Sequence, residues 1–247
     1  MKYAEPLRKA RLIKRYKRFL ADIELPDELD ADTGKAKQIT IHTANTGSMS
    51  GCALPGSTVW ISNSHNPKRK YLYSWELSSS EDGHLIGINT LLANKLVKEA
   101  IENGSIAELK MDQKIAVEVP YGAEKSRIDL LLTQNNGQKC YIEVKNVTAS
   151  FEPGTAAFPD AVTARGTKHL RELELMVQQG HRAVIFYCVQ RADMQNFRVA
   201  HEIDPLYAQT LIEAQKKGVE VLVYGSSFSG GAIPDGIKLI TKLNYIK

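Results

Sequence analysis

The chain opens with short runs in which apolar and polar residues alternate, the period of a strand with one buried face. These runs are Ala10–Ile23, Gln38–Thr43, Ser57–Ser62 and Tyr71–Leu77, and β-branched and aromatic residues dominate them. Gly34, Gly47, Gly51, Pro55-Gly56 and Asn66-Pro67 punctuate them with turn chemistry. Several short strands without a long helix predict a small barrel over residues 1–80, and the OB fold is the common barrel of that size. The polar stretch Ser78-Ser79-Ser80-Glu81-Asp82-Gly83 marks the expected boundary to a second domain, 81–247.

Beyond it the period changes. Asn89–Glu102 places Leu92, Leu96 or Val97 and Ile101 at helical spacing and stops near Gly104. Ile115–Val119, Arg127–Leu132 and Cys140–Val147 predict strands, and Leu170, Leu173, Met176 and Val177 an amphipathic helix ending at Gly180. Arg182–Val189 predicts a buried strand, Asp204–Lys217 a helix with Pro205 in its first turn, and Val219–Tyr224 a further strand. Strands alternating with helices predict an α/β domain with at least some parallel pairing. The Gly- and Ser-rich stretch from Gly225 to Gly236 is expected to be a loop.

Composition narrows the class. With 247 residues, 43% hydrophobic and 24% charged, the chain can bury a core without staples and is not dominantly disordered. No run approaches the ~18 apolar residues of a membrane span, and Arg8, Lys9, Arg11, Lys14 and Arg15 leave no room for a secretory apolar segment. Cys52, Cys140 and Cys188 are far apart and in no Cys-x-x-Cys pair, which fits a reduced cytoplasm and argues against a zinc site. The net charge of +4 is unevenly spread. Residues 1–20 hold Lys2, Arg8, Lys9, Arg11, Lys14, Arg15, Lys17 and Arg18 against Glu5, interleaved with Tyr16 and Phe19. Lys68-Arg69-Lys70 is a second cluster, followed by Tyr71 and Tyr73. Basic strands with interspersed rings suit a polyanion with unpaired bases; the plainer reading is a solvated arm.

The candidate chemistry lies in Ser126–Leu132 and Cys140–Lys145. A three-residue loop, Asn135-Asn136-Gly137, with Gly137 left-handed, pairs Leu132 with Cys140, Leu130 with Ile142 and Ile128 with Val144. That register puts Asp129 opposite Glu143, with Lys145 on the same face one step along. Facing carboxylates share a proton or a cation, and oxygen ligands with room for water suit Mg²⁺ or Mn²⁺. Such an ion polarises a phosphodiester and acidifies bound water, with Lys145 available to the phosphoryl charge. A solvent-facing cross-strand charge pair is the alternative. Glu-x-Lys alone is uninformative, since Glu108-Leu109-Lys110 has it and Asp112-Gln113-Lys114 nearly so, both in what is expected to be a polar connection without a partner strand. Arg165 and Lys168-His169 lie near the start of a helix, where they are either phosphate contacts or a solvated terminus. No G-x-x-x-x-G-K-[ST], G-x-G-x-x-G or G-x-S-x-G motif is present, so ATPase, dehydrogenase and serine-hydrolase classes lose their warrant. A helix-turn-helix around Asp204–Lys217 is disfavoured by the strands that flank it closely.

Asp, about a dozen residues, then Glu-x-Lys resembles the core of the PD-(D/E)XK nuclease superfamily. The whole chain resembles the sugar fermentation stimulation protein A (SfsA) family. The resemblance is carried by Arg11–Asp22, Asn45–Met49, Lys68–Lys70 with Trp75-Glu76-Leu77, Ser126–Asp129, Tyr141–Lys145, Phe158–Val162 and Lys168-His169-Leu170-Arg171. It implies an α/β protein in which an OB-like barrel precedes a nuclease-like domain with a mixed central sheet. It also implies DNA binding without strong sequence specificity and a link to regulation of sugar (maltose) metabolism. By position it gives Asp129 and Glu143 a metal-binding role and Asp129, Glu143 and Lys145 a catalytic one. Candidates for a first-helix and an accessory carboxylate are Glu99 and Glu118. Two positions depart from the family pattern: Thr43-Ala44 stands where Cys-Pro is frequent, and Ala164 where Glu is frequent.

Overall fold

The computed structural model describes residues 1–109 and 113–246. Its first six strands are β1 (Arg8–Tyr16), β2 (Leu20–Leu29), β3 (Ala36–His42), β4 (Thr58–Asn63), β5 (Tyr73–Ser79) and β6 (Leu85–Gly87). They form one sheet in the order β3-β2-β1-β4-β5-β6, and a β3–β5 contact at His42 and Ser74 closes it. Alternate residues point inward, so Ala10, Leu12, Ala21, Ile23, Ile41, Val59, Ile61 and Trp75 make the barrel core. The run Ala10–Ile23 is two strands. Lys17 and Arg18 break it by adopting left-handed φ angles of 48° and 61°, which close a tight β1–β2 turn. The polar stretch at 78–83 is the end of β5, Ser78-Ser79, followed by the β5–β6 connection, so the first sheet extends to Gly87.

The second half follows with α1 (Ala93–Glu102), β7 (Gln113–Tyr121), β8 (Ser126–Gln134), β9 (Lys139–Val147), β10 (Ser150–Glu152), β11 (Thr155–Phe158), α2 (Ala164–Gln178) and β12 (Arg182–Val189). Then come β13 (Asn196–Val199), α3 (Pro205–Lys216), β14 (Glu220–Ser229), β15 (Gly236–Lys242) and β16 (Asn244–Ile246). The main sheet runs β15-β14-β12-β9-β8-β7, with β9, β12 and β14 parallel and the rest antiparallel. It is therefore an α/β protein with a barrel followed by a mixed-sheet domain. Central β12 shows why its sequence is almost wholly apolar. Ala183, Ile185, Tyr187 and Val189 pack with α2 and α3, while Val184, Phe186 and Cys188 pack with α1.

Two expectations change, and one sheet is new. The Gly225–Gly236 stretch is not all loop, because β14 continues to Ser229 and pairs with β15. Lys114 lies on β7, opposite Thr133, and not in an unpaired connection; Lys110 and Asp112 fall outside the described residues. Short strands β10, β11, β13 and β16 form a second small sheet that no periodicity announced, each being three or four residues long.

The barrel and the mixed-sheet domain share a seam. Gly87 N donates to Gln190 O at 2.7 Å, and Ala192 N donates to Leu85 O at 3.2 Å. Arg191, buried, donates to Thr148 O at 3.1 Å and pairs with Asp193. No described helix is long and apolar enough to cross a membrane.

Candidate active site

The β8–β9 hairpin has the register its apolar pattern demands, with Leu132 opposite Cys140 and Leu130 opposite Ile142. Gly137, at φ 83°, closes the three-residue loop. Its N–H donates to Gln134 O at 2.9 Å, and Gln134 N donates to Gln138 O at the same distance. The expected pairs further along do not form, because the ladder ends at Leu130–Ile142. There the Asp129 carboxylate takes the place of a backbone carbonyl and accepts from Val144 N at 2.7 Å. Ile128 packs with the α2 cluster while Leu130 packs with the α1 cluster, so the alternation slips by one residue at Asp129. Across the sheet from it, Glu118 on β7 has a φ of 52°. Asp129 thereby reaches α1, where Asn94 Nδ2 donates to it at 2.8 Å.

Glu143 projects toward α2 and is 3% exposed. Its Oε1 accepts from Lys145 Nζ at 2.8 Å and from His169 Nδ1. Its Oε2, also buried, has no hydrogen-bond partner among the described residues, and neither has the buried hydroxyl of Tyr121 nearby. Burial disfavours the charged carboxylate. The bond from His169 and the Lys145 ammonium outweigh that and hold Glu143 below the usual carboxylate range. Asp129 goes the other way: burial and the Glu143 charge push it up to about 6, despite the bonds from Val144 N and Asn94. Two adjacent carboxyls are thus set apart by their surroundings.

His169 is buried on α2, and Arg165 Nε lies 3.4 Å from its Nε2, which leaves Nδ1 as the nitrogen that carries hydrogen toward Glu143. It is therefore not a phosphate contact. The signal was present, because His169 is spaced from Leu173 and Met176 along the apolar stripe of its helix. The start of α2 is fixed by Thr163, whose Oγ1 accepts from Gly166 N at 3.0 Å and whose N–H donates to Asp204 at 2.8 Å.

Lys145 and Arg165 line a cleft of about 400 Å³ between the two domains, walled by Asn146 to Ala149 and roofed by Asn45 to Gly47 of the barrel. The other candidate cations divide. Arg15 is spent on backbone carbonyls, donating to Asn45 O at 3.0 Å and Gly47 O at 2.9 Å. Arg11 pairs with Glu24, and Lys14 lies 3.6 Å from Asp22. Lys168 Nζ donates to Glu124 O at 2.6 Å. Arg69 reaches Ser74 at 3.4 Å, while Lys17, Arg18, Lys68 and Lys70 are exposed. Glu99 pairs with the N-terminal ammonium at 2.8 Å, and Glu118 is exposed on the edge strand. On the first helix it is Asn94, which the sequence did not mark, that bonds Asp129.

The family model described as the SfsA N-terminal OB domain matches residues 13–88, and that of the sugar fermentation stimulation protein RE domain matches residues 91–231. The chain belongs to the SfsA family. A sugar fermentation stimulation protein homolog of Thioalkalivibrio sulfidiphilus (strain HL-EbGR7) is 51% identical over 233 residues, covering 94% of each chain. The solved structure of Pyrococcus furiosus SfsA in complex with Ca²⁺ covers 100% of this chain and 98% of its own, with a TM-score of 0.84 at 23% identity, and shares the fold. The first SfsA match ends at 88, just beyond β6, and the second spans the hairpin, the cleft wall and α2.

Proposed function

We propose that this SfsA-family chain binds DNA without strong sequence specificity and cleaves phosphodiesters with a divalent cation held by Asp129 and Glu143. One observation carries the reading: Glu143 Oε2 is buried and unpartnered beside a second carboxyl, with Lys145 on the wall of an open cleft. An orphaned carboxylate oxygen at that depth costs free energy unless a cation or water completes it. No cluster of three or more His, Cys, Asp or Glu forms a complete metal site among the described residues. Two carboxylates supplemented by backbone oxygen and water fit Mg²⁺ or Mn²⁺, and not zinc. The solved relative that contains Ca²⁺ supports a divalent-ion reading. When bound, such an ion polarises the phosphodiester and lowers the pKa of water.

The protein's own groups divide the remaining work. Lys145 faces the cleft and offers its ammonium to a phosphoryl oxygen, where charge accumulates. His169 orients the Glu143 carboxylate, and Asn94 with Val144 N orients Asp129. Arg165 on the cleft wall and Lys17 and Arg18 at the β1–β2 tip supply phosphate contacts. Three unpaired, buried thiols suit a reducing compartment such as the cytoplasm.

A second reading is a DNA-binding regulator of sugar metabolism with no cleavage, favoured by Ala164 at the start of α2, where the family often carries a carboxylate. Incubation with DNA and Mg²⁺ or Mn²⁺ separates the two. Cation-dependent cleavage is expected, falling about 10²-fold or more in Asp129→Ala and Lys145→Ala. Undiminished cleavage in both variants, or none under any condition, would remove the nuclease reading.

A further inference from the structure

The cleft that Lys145 lines is also lined by the Asn45–Gly47 span, and that span is tied at both ends. Thr90 Oγ1 donates to Ala44 O at 3.1 Å. On the far side, Asp160 accepts from Ser48 N at 2.8 Å and Ser48 Oγ at 3.1 Å. A Cβ on Gly47 would lie 2.5 Å from Asp160 Oδ2, so the missing side chain is what lets the carboxylate close on the backbone. Arg15 braces the span from behind through the carbonyls of Asn45 and Gly47. The roof is a fixed strap, and the space under it, about 400 Å³, is that of a site for one drug-sized molecule, the bulk of a single nucleotide.

The β1–β2 tip is joined to the same strap. Thr43 N donates to Phe19 O at 2.9 Å, and Arg15 donates to Arg18 O at 2.5 Å. The tip presents Lys17 and Arg18 in solvent beside Phe19, whose side chain is 49% exposed. A bare ring flanked by cations is costly for a closed barrel and useful to a base whose face is uncovered.

We propose that the cleft takes an unpaired polynucleotide strand and excludes the intact duplex, with Phe19 as a stacking platform next to the strap. The inference rests on the DNA-binding reading above and names its substrate class. A paired base enters only after it is unstacked and unpaired, whereas a single strand enters directly.

The test uses the full chain in EDTA, so that nothing is cut, and follows fluorescence anisotropy of a labelled strand of about 20 nucleotides, alone or as a blunt duplex of the same sequence. The single strand is expected to bind at least about tenfold more tightly. Phe19→Ala is expected to weaken single-strand binding by roughly 5- to 100-fold and to leave the duplex little changed. Phe19→Trp is expected to restore binding, with its fluorescence quenched by the strand. A duplex bound as tightly as the single strand overturns the inference and leaves DNA binding standing. A preference that survives Phe19→Ala intact overturns the platform, and binding of neither form overturns both readings.

Discussion

Asp129 is a carboxyl that the fold holds against its own preference. It is largely buried beside Glu143, and the two bonds it accepts do not offset that, so its pKa is pushed up to about 6, above the usual aspartate range. Between about pH 4 and pH 6 the unfolded chain has released a proton that the folded chain still keeps. Raising the pH through that window therefore weakens the metal-free fold by about 2–3 kcal/mol. Asp129→Asn keeps an oxygen for Val144 N and removes the charge. In EDTA the variant is expected to be more stable than the parent by roughly that amount at pH 7.5 and nearly equal to it at pH 4, by urea denaturation. Equal or lower stability at pH 7.5 would mean that Asp129 ionises there without penalty. At this scale the sequence marked Asp129, Glu143 and Lys145 but not their partners. Nothing in the spelling of α1 distinguishes Asn94, and nothing distinguishes an arginine spent on carbonyls, such as Arg15, from one left in water, such as Arg18.

At the scale of elements, the site depends on how β7, β8 and α2 meet. Glu172 of α2, buried, accepts from Ala123 N at 2.9 Å and Glu124 N at 2.5 Å in the β7–β8 turn. Gly122 precedes them at φ 73°, and a Cβ there would fall 1.4 Å from Glu172 Oε2. Gly122→Ala therefore meets both a disfavoured backbone and a displaced carboxylate. It is expected to cost about 2–3 kcal/mol in urea denaturation, and an effect under ~0.5 kcal/mol would show that the turn relaxes freely. The hairpin register was legible because a one-residue slip would bury charge. The departure at Asp129 was not, since it arises from a side-chain carboxylate displacing a backbone acceptor, which leaves no trace in the apolar pattern. The last part of β14 was missed for a related reason: the Gly- and Ser-rich run Gly225–Ser229 pairs with β15 through its backbone, not through apolar alternation, and β16 is only three residues long.

At the scale of the molecule, the barrel and the sheet domain act as two jaws that are already closed on each other. The β6 seam and the strap to Asp160 join them through hydrogen bonds on both the barrel and the sheet-domain side. The two-domain plan was legible from the change of period near residue 80, whereas the strap joins residues 112 positions apart and no local pattern reveals it. If Asp129 and Glu143 share a divalent cation, as proposed, a crystal soaked in Mn²⁺ reveals it by anomalous scattering. One peak between the two carboxylates, absent from Asp129→Asn crystals, is the predicted result. No peak there at saturating Mn²⁺, or a peak that Asp129→Asn leaves unchanged, would rule out a cation held by this pair.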